Sequence, residues 1–281
     1  MQKTYKKYFP LFVIPTLIAY MIAFVIPFAM GLWLSFCKFK TISSAKFVGL
    51  SNYITVFQNS SGFLQALWFT VRFAIVGVLT TNIIAFALAL LLTRKIRGTN
   101  FFRTIFFMPN LIGGIVLGYI WQLLLNGILI KLVNADLTYS ATYGYWGMVI
   151  LFNWQMIGYV MVIYIAGIQS ISTDVLEAAE IDGASPWQML KSIIVPMTMT
   201  SITICLFLTL TNAFKLFDQN LALTAGAPGK QTAMLALDIY DTYYNRVGFA
   251  GVGQAKAVVF FLLVAAISMV QLRITRSKEV E

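Results

Sequence analysis

The sequence predicts an all-α membrane protein of six transmembrane helices, and three observations predict it. Of the 281 residues, 59% are apolar and 11% charged, with a mean hydropathy of +0.82, whereas a soluble domain carries about 25% charged residues. Charge-free runs recur that are long enough for a helix to cross the hydrocarbon core, which takes roughly 20 apolar residues. The cations gather in the segments between those runs. The chain has no His, which excludes His-based zinc sites, Ser-His or Cys-His catalysis and imidazole relays. Cys37 and Cys205 lie in or beside apolar runs and suggest neither a disulfide framework nor a thiolate cluster.

The spans follow in order. The first, 10–34, is the charge-free run from Pro10 to Leu34. Lys3, Lys6 and Lys7 ahead of it resemble the start of a signal peptide. The run is long, however, contains Pro15 and Pro27, and is followed by no small-residue cleavage site, so it reads as a retained helix. The second, 70–93, rests on Phe73 to Thr93 and takes in Arg72, which can either snorkel or pair within the assembly. The third, 104–127, lies in the run from Thr104 to Ile130. The run from Leu137 to Thr173 is too long for one crossing. Its polar, aromatic start, Tyr139 to Tyr145, reads as an outer interfacial segment, which leaves 146–169 as the fourth span. The fifth, 193–214, follows from Ser192 to Phe214. The sixth, 252–272, extends the short run from Ala257 to Leu272 back through Phe249 to Gln254, and places Lys256 near a helix end where it can snorkel. With no internal repeat and no low-complexity linker, 1–281 reads as a single membrane domain.

Loop charge sets the orientation. With both termini in the cytoplasm, the inner cations are Lys3, Lys6, Lys7, Arg94, Lys95, Arg97, Arg103, Lys191, Arg273, Arg276 and Lys278, packed into short segments. The remaining cations are spread over longer outer loops or lie in spans, as do Arg72 and Lys215. This bias fits the positive-inside rule. It makes the net charge of +10 a matter of topology rather than of nucleic-acid binding.

One inner loop, 172–190, does not look like a connector. Asp174 with Glu177 three residues on is a capping-box-like helix start, Leu176, Ala178 and Ala179 give a small apolar face, and Asp182-Gly183 supplies a stop, Gly taking the left-handed conformation. Ser185-Pro186 then opens a second helix, with Gln188 at its third position. The acids Asp174, Glu177, Glu180 and Asp182 suit a protein contact better than a surface facing anionic lipid. A solvated amphipathic connector is the plain alternative.

Glu177-Ala178-Ala179, followed by Asp182-Gly183-Ala184 and Pro196, resembles the EAA loop of bacterial ABC importer permeases. Phe101-Phe102-Arg103-Thr104-Ile105-Phe106-Phe107-Met108-Pro109 resembles the entry to a central span in the carbohydrate-uptake branch. Leu223-Thr224-Ala225-Gly226-Ala227-Pro228-Gly229 resembles the Gly-Gly-Pro outer loop of the maltose and glycerol-phosphate type, with Ala227 in place of the second Gly. The resemblance implies a type I importer permease fold. It also implies that the EAA segment is a coupling helix seated in a groove of a cytoplasmic ATPase. By match to the motif, Glu177, Ala178, Ala179, Asp182 and Gly183 are the coupling residues: the alanines for close approach, Glu177 for a charge-assisted contact to a basic partner, and Gly183 for the turn. The partners implied are a sister permease, two ATPase chains and an extracytoplasmic solute-binding protein. The location implied is a bacterial inner membrane. The chain would bind no cofactor itself, ATP and Mg belonging to the ATPase.

Polar residues inside spans face a cavity or a neighbouring helix. Tyr119 and Gln122 lie in the third span, Asn153, Trp154, Gln155 and Tyr159 in the fourth, and Asn212, Lys215 and Asp218 at the outer end of the fifth, about one helical turn apart. Aromatic faces with neutral amides suit a sugar, whose C–H face stacks while its hydroxyls exchange hydrogen bonds. These nine residues are the candidate solute pathway. Trp121, Trp146 and Tyr139 equally suit interfacial anchoring, amides also join helices, and Lys215 and Asp218 can pair with each other.

Enzyme chemistry is not encoded. Gly229-Lys230 invites a P-loop reading, but Gln231 stands where Ser or Thr is needed and Thr224 where the upstream Gly belongs. The expectation is therefore the permease subunit of an ATP-driven carbohydrate importer. A glycerol-phosphate ester or a polyol is the alternative solute. An ion-driven secondary transporter, which would carry more internal symmetry and a buried intramembrane carboxylate, and a non-transporting scaffold are the rival classes; neither explains Glu177 to Gly183.

Overall fold

A computed structural model describes residues 2–58, 62–94 and 97–279. Lys95, counted among the inner cations, lies outside the described residues, as do the side chains of Lys3, Lys6 and Lys7. Among the described residues five helical segments are long and apolar enough to cross a membrane: Phe12–Ser35, Phe63–Leu92 (α4), Gly114–Val133 (α6), Ala141–Gln169 (α7) and Ala250–Arg276 (α14). A sixth is the pair Pro186–Met197, whose last turn is Val195–Met197 (α10), and Met199–Phe214 (α11), bent by 71°.

Each departure from a straight helix has a local cause. The first span is α1 (Gln2–Tyr20), a π turn at Met21–Val25, and α2 (Ile26–Ser35), with Pro10 and Pro15 inside α1 and Pro27 opening α2. The stretch 104–127 is two helices rather than one. Residues Thr99–Phe107 (α5) run into a tight 3₁₀ turn at Met108–Leu111, where Pro109 cannot donate, and α6 restarts at Gly114. α7 begins at Ala141 because the Ser140 hydroxyl caps it by accepting from Tyr143 N at 3.3 Å. Most of the expected interfacial segment is thus its first turn. The 71° bend falls at Thr198, just after Pro196, where Thr198 Oγ1 donates back to Ile194 O at 2.7 Å.

The chain divides into two compact units, Met1–Phe63 with Ile239–Phe260 and Leu64–Asp238 with Phe261–Glu281. In the first, a short hairpin pairs β1 (Cys37–Lys38) with β2 (Lys46–Phe47), and α3 (Ser51–Val56) follows. Asn52 ties these elements by donating to Ser35 O at 2.8 Å and Cys37 O at 2.9 Å. Lys256 is fully buried inside α14 and donates at 2.8 Å to Oγ1 of Thr242 in Leu235–Tyr244 (α13). It does not snorkel from a helix end, because α14 starts at Ala250 and carries it a turn and a half inward.

In the second unit α4, α7 and α11 pack on aromatic and polar contacts. Phe73 meets Phe152 edge-on at 5.4 Å, and Phe86 meets Tyr164 at 5.1 Å. Asn82 accepts from the Tyr164 hydroxyl and donates to Thr209 Oγ1. α5 crosses α7 so closely that a Cβ on Gly158 would overlap the Phe106 carbonyl, so only glycine fits there.

Candidate functional site

The 172–190 loop is built by local chemistry. Helix α8 (Thr173–Ile181) is capped by Ser172, whose hydroxyl accepts from Asp174 N at 3.3 Å. The cap is thus two residues earlier than the sequence suggested, and Asp174 instead faces the positive end of the helix from its first turn. At the exit Gly183 takes φ +78°. Ala184 N donates to Ala179 O at 2.9 Å and Gly183 N to Glu180 O at 3.1 Å, the paired bonds of a Schellman motif. A reciprocal capping box between Ser185 and Gln188 starts the next turn, Pro186–Gln188 (α9), with bonds of 3.4 and 2.8 Å.

This geometry sorts the five motif residues. Glu177, Ala178, Asp182 and Gly183 are exposed, whereas Ala179 is buried. Only Ala178 of the two alanines is therefore at the surface. Ile181 and Trp187 are 86% and 67% exposed. The sequence reading passed over both, although an isoleucine between Glu180 and Asp182 visibly interrupts the acidic run with an apolar side chain. Behind the loop lies a cavity of about 980 Å³, whose lining includes Leu90, Arg94, Thr173, Leu176 and Trp187.

The second cluster forms where α6 and α7 meet α12 (Asp218–Leu223). Trp121 packs on Trp154 at 5.4 Å between ring centres. Gln122 Nε2 donates to Leu223 O at 3.0 Å. Gln155 Nε2 donates to Ile112 O at 3.2 Å, while its Oε1 accepts from Gln219 Nε2. Gln219 Oε1 is buried and has no hydrogen-bond donor among the described residues. Asp218 lies against Gly114, the first residue of α6. Tyr119 and Trp154 are exposed, and Tyr159 packs near Phe107 at 6.4 Å.

Three expected pathway residues sit elsewhere or differently. Asn153 faces α4, donating to Thr80 Oγ1 at 2.9 Å and accepting from Thr81 Oγ1 at 3.0 Å, so it joins two helices. Asn212 donates to Leu208 O within its own helix at 2.8 Å. Lys215 ends α11 as its cap, so Asn212, Lys215 and Asp218 do not form one helical line. The chain turns at 215–217 and restarts as α12, which resets the register and carries Gln219 and Asn220 inward.

Asn220, unsuspected from sequence, organises the loop that follows. Its amide donates to Thr232 O at 2.8 Å and its Oδ1 accepts from Met234 N at 2.9 Å. Thr232 Oγ1 donates in turn to Ala227 O at 2.7 Å, so the Gly-Ala-Pro turn is pinned from inside. A run of amides at 219–220 just past a helix end was the only sequence signal.

Comparison with known proteins gives consistent likenesses. A family model described as the binding-protein-dependent transport system inner membrane component matches residues 94–278. The chain is 45% identical over 279 residues to a probable starch degradation products transport system permease protein of Thermoanaerobacterium thermosulfurigenes, covering 96% of this chain and 94% of that one. It is 30% identical to a trehalose/maltose transport system permease protein of Thermococcus litoralis, covering 95% and 92%. In structure it resembles a chain of a bacterial ABC transporter involved in the import of the acidic polysaccharide alginate, with a TM-score of 0.82 at 20% identity over 98% of both chains.

Proposed function

The chain belongs to the family of binding-protein-dependent transport system inner membrane components, and on that premise we propose that it forms half of the membrane pathway of an ATP-driven importer for an oligosaccharide. Relatives named for starch degradation products and for trehalose and maltose support a carbohydrate as the solute. An alginate importer chain of the same fold has also been crystallised with a periplasmic protein carrying an alginate pentasaccharide, which supports delivery by a solute-binding protein. In this reading the other half of the pathway is a sister permease. Two ATPase chains bind ATP and Mg in the cytoplasm, and both termini of this chain face them.

The observation that carries the sugar reading is the cluster of Trp121, Trp154, Gln122, Gln155 and Gln219. Indole faces stack on the C–H face of a pyranose, and neutral amides exchange hydrogen bonds with hydroxyls. Among the described residues nothing donates to the buried Gln219 Oε1, and a sugar hydroxyl reaching it would supply a donor, relieving a cost of about 1–3 kcal/mol for an unpaired buried acceptor. In the same reading the exposed surface of α8, led by Glu177, Ala178 and Ile181, seats in the ATPase, and closure of the ATPase pair moves the spans through the rigid turn at Gly183.

The test is ATPase activity of the complex in nanodiscs, with and without the binding protein, across a panel of oligosaccharides. Stimulation by one sugar that disappears in Glu177→Arg supports both halves of the reading. Purification without an ATPase chain, or the same rate with every sugar, overturns it.

A further inference from the structure

The end of α4 remote from the coupling loop carries a feature outside the proposed solute pathway. Leu90 lines the cavity behind α8, and Arg72 lies 18 residues earlier on the same helix, about 27 Å away at 1.5 Å per residue. Around Arg72 is a pocket of about 430 Å³ lined by Gln65, Trp68, Phe69, Thr142 and Tyr145 among others. The guanidinium sits over the Trp68 ring at 5.7 Å, and the Tyr145 hydroxyl donates to the Arg72 carbonyl at 3.1 Å. Among the described residues no Asp or Glu lines this pocket. Below it, Ile75, Leu79 and Ile83 are 56%, 54% and 66% exposed. At three, seven and eleven residues from Arg72 they continue its face of the helix.

We propose that this face binds an anionic phospholipid, with the phosphodiester on Arg72 and an acyl chain along Ile75, Leu79 and Ile83. Depth supports it. The charge-free residues from 73 to 92 are about 30 Å of helix, the thickness of the hydrocarbon core, so Arg72 stands at the boundary where lipid phosphates lie, with Trp68 one turn further into the interface. Chemistry selects an anion over a sugar. The guanidinium already covers the Trp68 ring, the Tyr145 proton is engaged by backbone, and among the described lining residues the pocket offers a held cation without a counter-charge. The planar guanidinium is matched to two phosphate oxygens. The continuous apolar stripe below selects a lipid over a free anion. This inference rests on the membrane setting alone and holds whatever solute the importer carries.

The experiment uses the intact complex. Bound lipid is measured by native mass spectrometry after exchange into mixtures of phosphatidylglycerol and phosphatidylcholine, for the wild type, Arg72→Gln and Arg72→Lys. The expected result is retention of phosphatidylglycerol over phosphatidylcholine, a loss of about tenfold in Arg72→Gln, the scale of one charge-assisted hydrogen bond, and partial retention in Arg72→Lys. In Leu79→Trp, phosphatidylglycerol brominated on its acyl chains should quench the added tryptophan more strongly than brominated phosphatidylcholine, which decides the matter even if Arg72→Gln does not assemble. Equal retention of the two lipids, or no effect of Arg72→Gln, overturns the proposal. Absence of quenching at position 79 means that protein covers the face and overturns it as well. Displacement of the lipid by millimolar inorganic phosphate identifies a free-anion site instead.

Discussion

The hydroxyl of Tyr164 on α7 donates to Oδ1 of Asn82 on α4 at 2.6 Å, though the two lie 82 residues apart. The same asparagine donates to Thr209 Oγ1 on α11 at 2.9 Å. Three membrane helices therefore share one buried polar node, in surroundings where no water can replace a lost partner. Cys205, one turn from Thr209 on α11, accepts the Thr209 hydroxyl bond through its carbonyl at 2.7 Å, so the node is anchored on backbone as well.

Tyr164→Phe strips Asn82 of its donor and is expected to lower stability by about 1 kcal/mol, the scale of an interhelical hydrogen bond in a membrane. Asn82→Leu removes both bonds and strands the Tyr164 hydroxyl, and should cost more. Unfolding midpoints in a graded series of denaturing detergent measure both. Equal midpoints for Asn82→Leu and the wild type would contradict the node.

Gly158→Ala forces a methyl group into the Phe106 carbonyl. The neighbour is backbone, so α5 must move, at a cost of about 1–3 kcal/mol for overpacking. The expected outcome is a lower yield of assembled complex, with the loss absent from Gly127→Ala, where a Cβ meets nothing within 4 Å.

Gly183→Val places a β-branched residue at φ +78°, which costs about 1–2 kcal/mol in a left-handed conformation and deforms the turn. Since a Cβ there meets nothing within 4 Å, the penalty is conformational rather than steric with neighbours. Membrane insertion should persist while sugar-stimulated ATPase activity is lost, and Gly183→Asn should retain more activity because Asn tolerates this conformation. Normal uptake in Gly183→Val would sink the coupling role.

Ile181→Asp tests the apolar contact that sequence reading overlooked. Exposed as it is, the residue contributes little to folding of the free chain, so insertion should be unchanged. Copurification of the ATPase should fall about tenfold or more, the effect of putting a charge into a desolvated contact. An unchanged yield of the ATPase would place the contact elsewhere.

Gln155→Leu leaves Gln219 without its amide partner and removes a donor to Ile112 O. Uptake should fall by roughly tenfold, on the scale of one unmade hydrogen bond, with basal ATPase activity unaltered. Asn153→Leu should act on stability instead, since that amide joins α7 to α4. If both variants altered uptake with stability intact, the division between pathway and packing would fail.

The sequence by itself determined whatever depends on neighbours along the chain. Hydropathy marks the spans because a helix in lipid must satisfy its backbone within itself. The turn at Gly183 and the Ser185–Gln188 box are equally legible, since both are made by residues a few positions apart. The breaks at Pro109 and after Pro196 have local causes as well, although the sequence reading carried the third and fifth spans straight through them. Only the tertiary structure decided which face each polar residue presents. Asn153 and Gln155 are two residues apart, yet one bonds α4 and the other turns to α12, because a helix rotates about 200° over two residues. Gln219 and Asn220 point inward only because the chain breaks at Lys215 and restarts at Asp218, and Lys256 is buried only because Thr242 comes to meet it. Those outcomes depend on partners far away in sequence, and packing alone brings them together.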